Sequence, residues 1–455
     1  MGDERLDRRQ FLRLAAAGAV CAAAGAGCSS DAQSKAGPRP EGAGGGRPSL
    51  RIAQWSHFIP QYDTWFDTEY AKRWGEAHDV DVVVDHIPYA ELPARAGAEV
   101  AAGHGHDLFA FITAPAALED EVIDHREVID EVEARIGPMA PIVRRHVFNP
   151  KTGKYFGLGQ YWVPNPVHYR TDLWERVRPG GVPSSWDDVL RAAPDLKAAG
   201  RPVGIGLSDD DDSNFSLLSL MAVFGARLQD EENRLALDAP ATVEAVKMGA
   251  AIYRAGMTDD VFRWDSSSNN RLIATGHGSL ILNTISAIRA AEDQDRALAG
   301  TIGLAPALSG PAARLGVNSV VGVYVIWRFS EQQDRAKQFL IDLAVAARDA
   351  LLQSRFYNLP AFPGAVPDLK ALVGRDEAAQ PPTKYAILAD AESWSTNIGH
   401  PGHDNAATDE VFSAFIIPKM FAAAARGELS AEEAVKRAHA EAEPIFAKWR
   451  ERGRI

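Results

Sequence analysis

The chain has 455 residues, of which 46% are hydrophobic and 24% are charged, and its formal net charge is −13. This composition is ordinary for a soluble globular protein, and a chain of this length is expected to fold as two lobes or domains. The acidic balance and the lack of a basic stripe argue against a nucleic-acid partner, because phosphate groups reward clustered Lys and Arg.

The first 28 residues are typical of an export signal and take no part in the fold prediction. The sequence DRRQFL at 7–12 matches the twin-arginine pattern, and the apolar run after it is shorter than the roughly 20 residues that a spanning helix needs. Cys28 follows small residues, as the lipid-modified cysteine of a bacterial lipoprotein does. We predict a twin-arginine lipoprotein signal peptide over 1–28, with cleavage among 22–26 and no lipidation as the alternative. Residues 29–49 are rich in Gly and Pro, which predicts a flexible tether.

Strand and helix patterns alternate after the tether, and their order predicts a parallel sheet of crossover units. The elements are a strand at 50–54, a helix at 60–77, a strand at 80–87, a helix at 90–103 and a strand at 107–112. The second strand is nearly continuous in valine, which predicts that both of its faces are covered. In a parallel sheet, ligands gather at the carboxyl ends of the strands. The candidate ligand-binding residues at these positions are Trp55, Ser56, His57 and Thr113.

Two prolines interrupt the chain after this first group of elements. Strand-like runs at 154–158 and 167–170 are separated by an aromatic link that contains Pro164 and Pro166. Proline fixes its own φ and has no amide donor, so the link cannot continue a central strand. This pattern is typical of a chain that leaves one sheet and enters another. An ordinary β-turn-β unit inside one α/β domain is the alternative at this point.

Two helix starts carry the capping-box pattern, in which a Ser and an acidic residue three positions later satisfy each other's backbone amides. They are Ser185 with Asp188 and Ser430 with Glu433. The sequence therefore predicts helices that begin at these two serines.

A run of four carboxylates at 209–212 lies between a predicted strand at 202–207 and a predicted helix at 215–225. Such a run could chelate Ca²⁺, but the Gly-containing spacing of a calcium loop is absent. We therefore predict a solvated acidic loop.

Several motifs occur in an order that extends over nearly the whole chain after Ser49. They are GKYFGL at 153–158, VHYRTDLW at 167–174, PSSWDDVL at 183–190, NRLIATGHGSLILN at 270–283 and GELSAEEA at 427–434. In this order they resemble the extracellular solute-binding proteins of family 1, the sugar-binding subunits of ABC importers that include the maltose-binding type. The strand at 320–327 departs from the family pattern, because Val321, Gly322 and Val323 stand in place of a full Gly-Gly.

The resemblance implies an α/β, periplasmic-binding-protein-like fold of two lobes, with a hinge of about three crossovers and a ligand cleft between the lobes. It implies that lobe 1 consists of 50–162 plus 314–366 and that lobe 2 consists of 163–313 plus 367–455. The function that it implies is capture of a sugar or oligosaccharide by closure of the two lobes, for an ABC importer.

The resemblance also implies a set of ligand-binding residues on the crossovers and on the cleft side of lobe 2. The residues that it singles out are Trp162, Trp264, Asp265, Asn283, Thr284, Asn318, Trp394, Asn397 and His400.

Sugar binding gives a physical reason to single out aromatic residues that lie in loops. A sugar ring has an apolar face that stacks on a flat aromatic ring, and its hydroxyl rim exchanges hydrogen bonds with polar side chains. The aromatic candidates beside polar residues are Trp55, Trp162, Trp264, Trp394 and Tyr357, which Asn358 follows. Packing in the core is the alternative for each of them.

Catalysis finds little support in the sequence. The H-E-x-x-H, G-x-S-x-G and G-x-x-x-x-G-K-[ST] motifs are absent. Both cysteines, Cys21 and Cys28, lie in the leader, so the exported part has neither a disulfide nor a thiol nucleophile. We predict a protein that is not an enzyme and that holds no cofactor or metal.

The predicted partners are a small solute, the transmembrane subunits of an ABC permease, and the membrane through a lipid anchor. We expect a monomer in the periplasm or on the outer face of the cell membrane. Three alternatives stay open: a binding protein for a polyamine or other cationic or zwitterionic solute, a sensor subunit, and an exported hydrolase. The acidic balance favours the first of these, and Asp265 would support it if acidic groups cluster in the cleft.

Overall fold

The computed structural model describes residues 47–178, 180–318 and 320–455. The predicted signal peptide, the Cys28 lipidation site and most of the predicted tether lie outside the described residues. The described chain forms two α/β lobes, each with one mixed sheet at its centre, and this confirms the predicted fold class. Within the three described ranges, no helix is both long and apolar enough to cross a membrane.

The strands are short and numbered in chain order. They are β1 (Ser49–Trp55), β2 (Asp81–Ile87), β3 (Leu108–Phe111), β4 (Phe148–Asn149), β5 (Lys154–Tyr155), β6 (Leu158–Val163), β7 (Val167–Arg170), β8 (Val203–Gly204), β9 (Leu280–Leu282), β10 (Ile302–Ala305), β11 (Gly316–Val317), β12 (Val320–Ile326), β13 (Leu359–Pro360) and β14 (Ser395–Thr396).

The α-helices up to the second sheet are α1 (Pro60–Trp65), α2 (Lys72–His78), α3 (Leu92–Ala102), α4 (Arg126–Ile136), α5 (Pro141–Val147), α6 (Thr171–Val177), α7 (Trp186–Ala198), α8 (Asp211–Val223), α9 (Pro240–Gly256), α10 (Ser268–Ala274), α11 (Ser286–Gln294) and α12 (Arg296–Gly300). The later ones are α13 (Gln333–Val345), α14 (Ala347–Gln353), α15 (Leu369–Gly374), α16 (Ala406–Ser413), α17 (Ile416–Ala425) and α18 (Ala431–Glu451). A π-helical turn at Phe66–Ala71 joins α1 to α2, and 3₁₀ turns lie at Tyr89–Glu91, Ala116–Glu121, Asp259–Arg263, Pro363–Ala365 and Lys384–Trp394.

The sheet of lobe 1 has six strands in the order β13-β6-β12-β3-β1-β2. β1 runs parallel to both β2 and β3, as the alternating pattern predicts, with Ile52 opposite Val84 on one side and Leu108 on the other. β12 is antiparallel to β3 and β6, so strands from distant parts of the chain complete the sheet. Loops that follow β1, β2 and β3 therefore leave the sheet at one edge, which is the edge nearest lobe 2.

The prediction that both faces of the second strand are covered is wrong. β2 lies at the edge of the sheet, and several of its side chains stay partly exposed, with Val83 at 42%. Valine fits any pleated surface that is at least half-buried, so a run of valines does not distinguish an edge strand from a central one.

The sheet of lobe 2 has four strands in the order β10-β7-β9-β8. One of its faces packs on a cluster of buried side chains that includes Trp174, Trp186 and Trp449. Its other face, through Ile281 and Ile302, joins the cluster that fills lobe 1. The apolar core is thus continuous beneath the junction of the lobes.

The two prolines mark a change of sheet. β6 belongs to the six-stranded sheet and β7, four residues later, to the four-stranded sheet, so the single-domain alternative is excluded. The chain returns from β10 to β12 by way of β11. β11 pairs in parallel with β14 between the lobes, Gly316 opposite Ser395.

Both predicted capping boxes are present. The Ser185 hydroxyl accepts a hydrogen bond from the amide of Asp188 at 3.1 Å, and the Ser430 hydroxyl accepts one from the amide of Glu433 at 3.1 Å. In return, Glu433 accepts the Ser430 amide at 2.9 Å. α18, the 21-residue C-terminal helix, therefore begins with two of its otherwise orphaned amides satisfied.

Replacing Ser430 with Ala removes this cap, and we expect a loss of about 1 kcal/mol in the free energy of unfolding. Urea denaturation followed by circular dichroism measures the change. Glu443→Ala is the matched control, because Glu443 is exposed on the same helix, and it should leave stability within about 0.5 kcal/mol of the parent. Equal stability of Ser430→Ala and the control would show that the box contributes nothing.

Candidate functional site: the cleft between the lobes

A narrow cavity lies where the two lobes meet. Its empty space amounts to about 330 Å³, including the open mouth. The residues that line it are Phe58, Tyr89, Ile112, Asp212, Phe215, Ser266, Asn270, Asn283, Thr284, Ser286, Val320 and Tyr357. Both lobes contribute, so the cavity exists only while the lobes are in contact.

The wall on the side of lobe 1 is aromatic. Phe58, Tyr89 and Ile112 follow β1, β2 and β3, where a parallel sheet is expected to hold its ligand. The rings of Phe58 and Tyr89 lie 6.0 Å apart between centroids, and Phe58 remains 37% exposed. A flat apolar surface therefore faces the opposite lobe and is still open to solvent at one end.

The wall on the side of lobe 2 is a network of amides. The Asn283 side chain, at the end of β9, donates from Nδ2 to the side-chain oxygens of Asn269 at 2.9 Å and Asn270 at 2.5 Å. Asn269 in turn donates to Asp212 Oδ2 at 2.9 Å. Since each amide both donates and accepts, the network orients several polar atoms toward the cavity.

The acidic run at the start of α8 is part of this wall. Asp210 caps the helix by accepting the amides of Asp212 at 3.1 Å and Ser213 at 3.4 Å, while Asp212 lines the cavity. Burial and the neighbouring charges of Asp212 and Asp211 raise the pKa of Asp210 to about 8, and burial together with Asp211 raises the pKa of Asp212 to about 7. The predicted solvated loop is therefore wrong for three of the four carboxylates, and Asp209 alone is exposed.

Two hydrogen bonds join the lobes across the cleft. The Tyr89 hydroxyl donates to Asp211, and the amide of Ala117 donates to Asp409 Oδ2 at 2.9 Å. Burial raises the pKa of Asp211 above its usual range and that of Asp409 to about 7. Closure of the lobes thus places carboxylates from lobe 2 against donors from lobe 1.

A buried polar network links the lobes beside the hinge. His146 on α5 donates from Nδ1 to Asp404 and from Nε2 to the Asn318 side-chain oxygen at 2.9 Å. Asp404 also accepts from Asn397 Nδ2 at 2.8 Å and from the Gly399 amide at 2.6 Å. Burial on its own raises the pKa of Asp404, but the charge of His146 and these hydrogen bonds outweigh it, and the pKa lies below its usual range.

The predicted site residues fall into four groups. Asn283, Thr284 and Tyr357 line the cavity. A second group lies directly behind the aromatic wall or beside it: Trp55, Ser56, His57, Thr113 and Asn358. A third group belongs to the hinge region: Asn318, Asn397 and His400. The fourth group is not among the lining residues: Trp162, Trp264, Asp265 and Trp394.

Three members of the second group, Trp55, His57 and Asn358, make contacts with the wall residues or with one another. Trp55 packs on Phe58 with 5.2 Å between ring centroids and donates from Nε1 to Tyr161 at 3.2 Å. His57 lies 5.0 Å from the ring of Tyr357 and shares a 3.1 Å hydrogen bond with Asn358. Burial lowers the pKa of His57 to about 3, so the ring is neutral and donates from Nε2 to the Asn358 oxygen.

The fourth group has other surroundings. Trp162 and Trp394 are packed within the core cluster of lobe 1, which is the alternative that the sequence left open for each aromatic residue. Trp264 packs over Gly204 in lobe 2, where a Cβ built on Gly204 would be 2.9 Å from its ring. Asp265 is exposed and accepts from Ser267 and Ser268.

Sequence reasoning missed the contribution of Tyr89, Asp212 and Phe215. Tyr89 follows the carboxyl end of a predicted parallel strand, which was a usable signal. Asp212 was visible as an acidic residue in the first turn of a helix that follows a strand, but its contacts come from Asn269, which is 57 residues away. Among the described residues, no group of three or more His, Cys, Asp or Glu is arranged to hold a metal ion.

Comparison with known proteins identifies a family that this chain matches. The family model of bacterial extracellular solute-binding proteins matches residues 62–344, which is more than half of the chain. A comparison with curated proteins finds no match.

Solved structures share the fold at low sequence identity. A maltose-bound MalE3 from T. maritima is 17% identical with a TM-score of 0.72, and the alignment covers 87% of this chain and 99% of that one. A solute-binding protein of an ABC transporter from Thermotoga lettingae, bound with α-D-tagatose, is 15% identical with a TM-score of 0.71 and covers 88% and 100%. A sugar transporter protein from Arthrobacter chlorophenolicus with bound laminaribiose is 16% identical with a TM-score of 0.72 and covers 87% and 99%.

We expect Asp404→Ala to destabilise the protein by about 3 kcal/mol or more, because it leaves His146 and the Asn397 amide without their buried acceptor. Denaturation in urea measures the change. Asp390→Ala, at an exposed position, is the control and should lie within about 0.5 kcal/mol of the parent. A loss for Asp404→Ala no larger than that of the control would contradict the network.

The raised pKa of Asp212 predicts a pH dependence with a definite sign. In the folded protein this carboxyl keeps its proton up to a pKa of about 7, whereas in the unfolded chain it ionises near its ordinary value of 3.8. Its contribution to stability is therefore present below pH 3.8 and is lost as the pH rises through 7. We expect the stability of Asp212→Asn relative to the parent to increase between pH 5 and pH 8.

The difference between variant and parent is the measured quantity, because buried histidines such as His57 titrate with the opposite sign in the same range. Asp209→Asn serves as the control, since Asp209 is exposed one turn away. Urea denaturation at fixed ionic strength gives the free energies. A constant difference across this pH range would show that Asp212 is ionised in the folded protein.

Proposed function

Because the chain belongs to the family of bacterial extracellular solute-binding proteins, we propose that it captures a sugar or oligosaccharide and delivers it to an ABC importer. The observation that carries this proposal is the cavity in which aromatic rings of lobe 1 face amide and hydroxyl groups of lobe 2. An aromatic face with polar groups around it suits the apolar face and hydroxyl rim of a sugar ring.

Tyr357 is the lining residue that most directly indicates a contact with a ligand hydroxyl. Its side chain is 0% exposed, and its hydroxyl has no hydrogen-bond partner among the described residues. The neighbouring Thr284 hydroxyl is engaged with Ser286 at 2.8 Å. A buried hydroxyl without a partner is unfavourable, and a ligand hydroxyl in the cavity would satisfy it.

The mechanism we assign is closure of two lobes around the solute. The open and closed forms must differ by only a few kcal/mol, so that contacts made by both lobes to one ligand can shift the population. The interlobe bonds of Tyr89 to Asp211 and of Ala117 to Asp409 contribute to the closed form. The closed form is then the one that the permease recognises, and no bond is broken in the cycle.

The boundaries of the lobes follow from the two sheets. We place lobe 1 at 50–162 plus 314–366 and lobe 2 at 163–313 plus 367–455. The assignment is supported by the membership of β1, β6 and β12 in one sheet and of β7 and β9 in the other.

The location we propose is outside the cytoplasm, on the outer face of the cell membrane. The twin-arginine sequence at 7–12 and the cysteine at position 28 support export in a folded state followed by lipid anchoring. A tethered receptor can meet the transmembrane subunits of its permease as a monomer.

We expect carbohydrate binding to raise the melting temperature, and we expect Tyr357→Phe to bind the same carbohydrate about 3- to 10-fold more weakly. The reason is that the Tyr357 hydroxyl makes no hydrogen bond of normal geometry with the described residues, so its removal costs the free protein little and costs the complex a bond to the ligand. Thermal shift with a panel of mono- and disaccharides, followed by calorimetric titration of the hits, provides the measurement.

Tyr253→Phe is the matched control, because its hydroxyl donates to Asp259 at 2.8 Å on the surface of lobe 2. It should bind as the parent does. A panel in which no carbohydrate shifts the melting temperature would overturn the proposed function. Parental affinity of Tyr357→Phe would remove this residue from the site and leave the function standing.

A further inference from the structure

The cavity contains one carboxylate and no basic side chain among its lining residues. That carboxylate belongs to Asp212. Its Oδ2 accepts from Asn269 at 2.9 Å and from Asn283 at 3.5 Å, and its Oδ1 accepts no hydrogen bond from the described residues. One acceptor oxygen is therefore still available to a donor inside the cavity.

The ionisable groups around Asp212 are acidic. Asp210 and Asp211 lie beside it on α8, Asp409 faces Asp211 from α16, and Tyr89 and Tyr357 face the group from lobe 1. The Lys419 ammonium pairs at 3.6 Å with Asp209, the exposed member of the run. Among the described residues, no basic side chain lines the cavity beside these acids, so no protein cation there would balance the charge of an ionised Asp212.

The opposite wall consists of aromatic rings, whose faces attract cations. Phe58, Tyr89 and Tyr357 line the cavity from lobe 1, and Phe215 lines it from α8, the helix that carries Asp212. The fully buried Tyr357 hydroxyl, which lacks a partner, is a second and independent sign that a polar ligand group belongs there. Aromatic faces together with a single carboxylate are the usual surroundings of a bound ammonium group.

We propose that the solute carries a protonated amino group among its hydroxyl groups, as in an amino sugar, and that Asp212 binds this ammonium. The inference rests on the proposed carbohydrate function and narrows it. The amides of Asn270 and Asn283 and the hydroxyls of Ser266, Thr284 and Ser286 serve the hydroxyl rim. A linear polyamine has no hydroxyl groups to bond the remaining donor and acceptor positions of these groups, which favours a polyhydroxylated amine.

A ligand ammonium would stabilise the ionised form of Asp212 in the closed cleft. Burial and the charge of Asp211 raise the pKa of Asp212, which shows that an ionised carboxylate there is unfavourable without a partner. An ammonium ion provides both the opposite charge and N–H donors, and a charge-assisted hydrogen bond of this kind is roughly twice as strong as a neutral one.

The test compares sugars that carry a charged amino group with neutral counterparts that carry a hydroxyl or an acetamido group at the same position of each ring. Calorimetric titration of the full chain at pH 7.0 uses D-glucosamine against D-glucose and N-acetylglucosamine, and the glucosamine β-1,4-disaccharide against cellobiose. We expect the amine of each pair to bind about tenfold more tightly than its neutral counterparts. Asp212→Asn should remove that preference, so that each amine and its neutral counterparts bind with the same affinity.

Asp209→Asn is the matched control, because this carboxylate lies on the same run but outside the cavity, and it should keep the full preference. Tighter or equal binding of the neutral sugars would overturn the inference and leave the carbohydrate function intact. A preference that survives in Asp212→Asn would also overturn it. Binding of spermidine with no response to any sugar or amino sugar would overturn both proposals.

Discussion

The fold depends on one constraint of the backbone, namely that Pro164 and Pro166 cannot continue the strand that ends at Val163. The chain must leave the six-stranded sheet there, and it enters a second sheet at Val167. Every later feature of the site follows from that change, because the two sheets then present their loops to each other. Asn318 and Asn397, near the points where the chain passes between the lobes again, are tied to His146 and Asp404, so the passages are held by buried hydrogen bonds.

Each of the two walls of the cleft is energetically unfavourable on its own. The rings of lobe 1 leave apolar area open to solvent, and the start of α8 in lobe 2 collects carboxylates whose burial raises their pKa values. Bringing the two walls together removes the apolar area from water but also desolvates the acids. In the closure mechanism that we propose, these opposing effects would keep the closed form from being strongly favoured without a ligand, which is the condition under which a ligand can control closure.

Much of the architecture could be predicted from the sequence, because the patterns that determine it are local. Less of the site could be predicted, because its contacts join residues that are far apart in the chain. The alternation of strands and helices, the proline link and the capping boxes are local, and each was found where it was expected. Asn283 and Thr284 follow a strand in a motif of known order. The burial of Asp212 in the cleft could not be predicted. Its environment is formed by Asn269 and by the approach of lobe 1, and the acidic run alone gives no information about either. Trp162 shows a related limit. The sequence identifies it as an aromatic residue in a strand, but whether it lies in the core or in the cleft depends on the side of the sheet that it faces.

The position of β1 has a consequence for how the molecule stands on a surface. The strand begins at Ser49, beside the ion pair of Arg47 and Asp79, and ends at Trp55 next to the aromatic wall. At roughly 3.3 Å per residue, the seven-residue strand separates its two ends by about 20 Å. The described chain therefore enters lobe 1 at the end of β1 opposite to the end that carries the aromatic wall. In the lipid-anchored arrangement that we propose, the cleft would face the medium, and the protein would have to reorient before the cleft could reach the permease.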